Sequence, residues 1–197
     1  MSAVSETIVR EFFEAHGFFV RQQRKYVAPS RREEDEVDFY VHNPRAKVGE
    51  PLPFVLGTAD LAQVARAVVV VKGWHTETFS PAVLANAPEI FRFVSPAVFK
   101  KSAEGFGCLD PFLKILVVPA LPQSGEARKQ SIEMLRAKGI DAVVPFRTML
   151  AFLIGHIAVN RNYVKSDLLQ VLRILKNYGL LVQGEEQMDL FSRRRGR

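Results

Sequence analysis

The stretch that decides the fold is AVVVVKGWHTE, Ala67 to Glu77. Four consecutive valines predict a β-strand buried on both faces, because β-branched side chains fit a pleated surface and a short, uninterrupted apolar run is what a covered strand needs. The run ends on Lys72, and an isolated buried ammonium is costly. Lys72 therefore reaches water, meets an acid or does chemistry.

Working outward, strands and helices alternate on the C-terminal side. Ser80 to Lys101 reads as two short helices interrupted by Pro88 and Pro96. LKILVVPAL (113–121) is a second buried strand. GEARKQSIEMLRAKG (125–139) is an amphipathic helix with Ile132 and Leu135 inward and Gly139 past its end, and IDAVVPF (140–146) is a further strand. This order predicts an α/β layer with parallel neighbours. On the N-terminal side, Ser5 to His16 reads as a helix capped by Ser5, with Glu6, Val9, Phe12 and Phe13 on one face and Gly17 at its end. FFVRQQRKYV (18–27) and EVDFYVHNP (36–44) are strands, and residues 45–66 a loop with a short strand at PFVL and a helical turn.

Beyond residue 145 the pattern becomes helical. RTMLAFLIGHIAVN (147–160) is a very apolar helix, and SDLLQVLRILKNYG (166–179) is a second, capped by Ser166 or Asp167, with its leucines spent on burial; LLVQGE could add a strand. Two readings stay open: a helical hairpin, or a helix-turn-helix with a partial wing. The expected organisation is an α/β domain over 1–145, a helical extension over 146–184 and a disordered basic tail over 185–197.

Charge is unevenly spread. Residues 1–109 carry 13 Lys and Arg against 13 Asp and Glu, and residues 110–197 carry 14 against 8, which is the whole formal charge of +6. The excess, with SRRRGR at the end, favours an anionic partner such as DNA. A single cysteine, Cys108, excludes an internal disulfide, and the four histidines show no zinc-ligand spacing. No apolar run reaches the length of a membrane span, and the acidic N-terminus is unlike a signal peptide, so a cytoplasmic protein without a membrane partner is expected.

Helix with Glu6, strand, strand with Asp38, strand ending in Lys72, then helix and strand: this order resembles the restriction-endonuclease-like nucleases, the PD-(D/E)xK superfamily. The opening ETIVREFFEAHG, with Glu6, Val9, Phe13 and Gly17, is similar to that of archaeal Holliday-junction resolvases. The resemblance covers roughly residues 5–145 and implies a mixed sheet flanked by helices. It further implies a site in which carboxylates hold Mg²⁺ or Mn²⁺ against a scissile phosphodiester and a cation orients water or offsets charge. Asp38 would be the principal metal ligand, Glu6 a second, and Lys72 the cation. The sequence departs from the family at Val70, two residues before the lysine, where the pattern has Asp or Glu. The acid has either migrated, to Glu36 on the strand of Asp38 or to Asp60, or the fold serves another purpose. Trp74, His75, Arg21, Arg24, Lys165 and Arg173 are the candidate nucleic-acid contacts. Asp38 and Lys72 could equally form a structural ion pair, Glu6 could be a first-turn acid favoured by the helix dipole, and Trp74 and His75 could be packing groups. Three functions follow as expectations: a metal-dependent endonuclease, a catalytically silent relative that binds DNA, a protein partner or a second copy, and a partner-binding α/β module with an incidental basic tail.

Overall fold

The computed structural model describes residues 3–22, 37–47, 49, 51–106 and 111–181. The chain divides into two compact units, Met1–Met149 and Leu150–Arg197.

The first unit is built on a five-stranded mixed sheet, β1 (Phe19–Gln22), β2 (Phe39–His42), β3 (Arg66–Val71), β4 (Leu113–Val118) and β5 (Ala142–Pro145), with neighbours in chain order. β1, β2 and β3 are antiparallel, and β3, β4 and β5 are parallel. The valine run is the middle strand. Ala67 to Val71 are all buried, as a strand paired on both sides and covered on both faces requires. Helix α1 (Ala3–Ala15) precedes the sheet, α2 (Pro81–Asn86), a 3-10 helix (Pro88–Val94) and α3 (Pro96–Phe106) connect β3 to β4, and α4 (Gly125–Ala137) connects β4 to β5. The expected pair of short helices over 80–101 is thus three pieces, restarted at Pro81, Pro88 and Pro96 because proline opens a helix more readily than it continues one.

One side of the sheet carries a core in which Val68, Val70, Leu116, Val118 and Val143 meet Phe79, Leu84, Ile90, Phe93 and Leu135. On α1, Val9, Phe12 and Phe13 are fully buried and Ile8 nearly so, at the three- and four-residue spacings of one helical face. Helix ends are closed alike: Gly17, Gly139 and Gly179 all have positive φ. At each, the glycine N–H reaches back three residues and the next N–H five, as at Gly17 to Glu14 and Phe18 to Phe13. This closure takes the last free carbonyls and needs a left-handed residue that glycine adopts without a Cβ penalty.

The segment between β2 and β3 travels far. Val55 bridges Val143 in parallel fashion, with Leu56 N–H donating to Val143 O and Val143 N–H to Phe54 O. The expected short strand at PFVL is therefore a cover for the outer edge of β5, which would otherwise present unpaired backbone groups. The helical turn after it is a 3-10 helix over Ala59–Gln63.

In the second unit, α5 (Phe146–His156, its first turn still in the first unit) and α6 (Asp167–Asn177) follow each other. Ser166 caps α6 through Leu169 N–H, as expected. Lys176 Nζ donates to Ile154 O at 3.0 Å and Ile157 O at 2.8 Å, closing the end of α5. Two expectations are corrected. No residue of α6 is buried, and Val171 and Ile174 are 52% and 44% exposed. The link between the helices runs from 157 to 166, longer than the three or four residues of a helix-turn-helix. Of the expected strand after Gly179, Leu180 and Leu181 are in no strand, and its remainder and the basic tail lie outside the described residues. Among the described residues no helix is long and apolar enough to cross a membrane.

Candidate functional site

The end of β3 is where the expected groups gather. β3 presents alternate N–H groups to its two neighbours: just past its end, Lys72 N–H donates to Val117 O in β4, so Val71 N–H points toward β2. There it finds a carboxylate in place of a backbone carbonyl. Asp38 Oδ2 accepts from Val71 N–H at 2.7 Å, and Asp38 is 2% exposed. β2 starts only at Phe39, which pairs with Val69, yet Asp38 N–H also donates to Val69 O at 3.1 Å. Val37 and Tyr40, three residues apart, pack into the same core. Strand alternation thus slips at Asp38, as at a β-bulge, which re-aims a side chain. Glu36 lies outside the described residues.

Asp38 precedes the first β2–β3 pair, Phe39 with Val69, and Val70 holds the position at which the family pattern has its second acid. Val70 is 1% exposed and part of the core. Lys72 is half-buried, and its Nζ donates to Glu89 O at 3.4 Å in the 3-10 helix Pro88–Val94. Glu6 is half-buried on α1, and its Oε2 accepts from Gln22 Nε2 at 2.6 Å. Gln22 pairs with Phe39 and Phe39 with Val69, so Glu6, Asp38 and Lys72 stand at the same end of the sheet.

A further cluster shapes this end and was missed in the sequence. Ser5, expected as a helix cap, lies inside α1, fully buried, and shares a 3.0 Å hydrogen bond with His75 Nε2. The His75 ring stands edge-on to Phe146 at 4.6 Å between centroids. Gly73 lets the two elements meet: a Cβ there would stand 2.7 Å from Ser5 Oγ. The signal was available, since glycine directly after a buried strand marks a close approach. Trp74 diverges from His75, its ring edge-on to Phe79 at 5.8 Å and packed on the core.

The remaining candidates are dispersed. Asp60 accepts from Gly57 N–H at 2.7 Å in the turn that precedes β3; six strand residues of about 3.3 Å each separate that end from Lys72, so Asp60 stands at the opposite end of β3 from Lys72. Arg21 is exposed, 5.9 Å over the Tyr40 ring and bonded to Gly105 O. Lys165 is exposed and Arg173 donates to Val159 O, both in the second unit. Arg24 lies outside the described residues. No group of three or more His, Cys, Asp and Glu side chains placed to hold one metal ion occurs among the described residues. Asp38 and Glu6 each spend one carboxylate oxygen on a protein N–H, so they fit a metal only in part.

Comparison of the chain with models of protein families, with curated proteins and with solved structures gives no match.

Proposed function

We propose that this chain is a DNA-associated protein of restriction-endonuclease-like architecture that grips phosphodiesters at the end of β3 without cutting them. Supporting the architecture is the order of the sheet: an antiparallel three-strand meander running into parallel strands, with a helix before it and helices in each parallel connection. The observation that carries the function is the bond from Val71 N–H to Asp38 Oδ2 beside a valine at position 70. The carboxylate completes a strand ladder and the second acid is an apolar core residue. Lys72 keeps a charge suited to a phosphate at the edge where two acids also stand, and a cation next to a bound backbone is a binding element with or without hydrolysis.

A second reading, a Mg²⁺- or Mn²⁺-dependent endonuclease, is favoured by Glu6, held by Gln22 at the same end of the sheet. Incubating plasmid and branched DNA with the protein in Mn²⁺ separates the two. Salt-sensitive retention of DNA, weakened in Lys72→Ala and without nicking, supports the gripping reading; nicking that disappears in Lys72→Ala overturns it in favour of the nuclease.

A further inference from the structure

Away from this site, the start of β4 and the end of α4 set three cations on three aromatic rings. Lys114 Nζ lies 5.4 Å from the Phe99 centroid, Lys138 Nζ 5.6 Å from that of Phe91, and the Arg136 guanidinium 4.8 Å from that of Phe54. They are neighbours. A Cβ on Gly139 would stand 3.9 Å from Lys114 Nζ, so the turn that carries Arg136 and Lys138 abuts Lys114. Arg136 and Lys138 are exposed and Lys114 is half-buried, while Phe99 remains 42% exposed beside the exposed Lys100.

The acids nearby do not neutralise this group. Asp141 gives Oδ2 to Lys114 N–H at 2.7 Å, and Glu133 and Glu104 are exposed on their own helices. Among the described residues none of the three cations is paired with a carboxylate, and the ion pair found there is Arg10 with Glu11. A ring under a cation attracts it without cancelling its charge, and it limits the rotamers that would otherwise be lost on binding. All three belong to residues 110–197, which carry the entire charge excess.

We propose that Lys114, Arg136 and Lys138 form a second surface that binds the phosphate backbone of nucleic acid. It rests on the reading above only for the class of partner, since it shares no residue with the Lys72 edge. Three unpaired cations fanned over separate rings suit successive phosphates of a polyanion better than one small anion.

The test is fluorescence anisotropy of a labelled duplex with the full-length chain between about 50 and 200 mM salt, where each neutralised phosphate contributes about 0.9 to the slope of log affinity against log salt. The triple variant Lys114→Ala, Arg136→Ala, Lys138→Ala is expected to flatten the slope by about 2 to 3, equally for unrelated sequences, with an unchanged melting temperature. Should the triple variant fold poorly, the exposed substitutions Arg136→Glu and Lys138→Glu must each weaken binding. A slope equal to that of the parent chain overturns the proposal, as does polyglutamate competing as well as DNA per charge, which would reassign the surface to an acidic protein. Loss of slope in the triple variant with none in Lys72→Ala leaves this surface standing and removes the Lys72 reading; the converse removes this surface alone. A parent chain that does not bind the duplex overturns both.

Discussion

The carboxylate of Asp38 takes the N–H of Val71 at 2.7 Å, so a side chain completes the β2–β3 ladder where the backbone of β2 has turned away. Deleting it leaves a buried donor without its partner, which costs about 1–3 kcal/mol. Asp38→Ala should lose that much stability in urea unfolding, whereas Asp38→Asn, which keeps an acceptor oxygen, should lose clearly less. Equal stability of Asp38→Ala and the parent chain would show that the ladder does not need this oxygen.

Gly73 and Ser5 make a second testable contact. Gly73→Ala brings a Cβ to 2.7 Å from Ser5 Oγ, and overpacking of this kind costs about 1–3 kcal/mol. Removing the hydroxyl makes room, so the double variant Ser5→Ala, Gly73→Ala should be more stable than the sum of the two single losses predicts. Additive losses in a thermal-melt cycle would mean that the two elements do not meet there.

On α1, Glu14 is exposed overall, but slight burial of its carboxyl pushes it above its ordinary value of 4.5, the charge of Glu11 pushes it the same way, and Arg10 opposes them. In the pH window just above 4.5 the folded chain therefore holds more protons at Glu14 than the unfolded chain, and this group's contribution to stability falls as pH rises through its folded pKa. Glu14→Gln should accordingly raise the melting temperature at pH 7, with the gain gone below the ordinary carboxylate range. A gain that persists unchanged at acid pH would assign the effect to something other than ionisation.

How much of this was legible in the sequence follows from the reach of each signal. The valine run, LKILVV and the amphipathic α4 announce themselves because their burial is expressed within one element, and Gly17 and Gly139 mark helix ends because a left-handed residue is a local need. What escaped depends on chain segments meeting from afar. Ser5 looks like a cap until His75, seventy positions on, claims its hydroxyl. Asp60 flanks β3 in sequence, yet it belongs to the strand's opposite end. The apolar residues of α6 predict burial by their spacing, but spacing tells only that a face exists; Val171 and Ile174 remain exposed.

The most direct measurement of the central claim is a titration of labelled duplex DNA with the parent chain and with Lys72→Met, which removes the ammonium but keeps an apolar stem, followed by analysis of the same DNA for breaks after incubation in Mn²⁺. Intact DNA in both samples, with weaker and less salt-dependent binding by Lys72→Met, is the predicted result. Cleavage by the parent chain that Lys72→Met lacks, or binding that Lys72→Met leaves untouched, would contradict it.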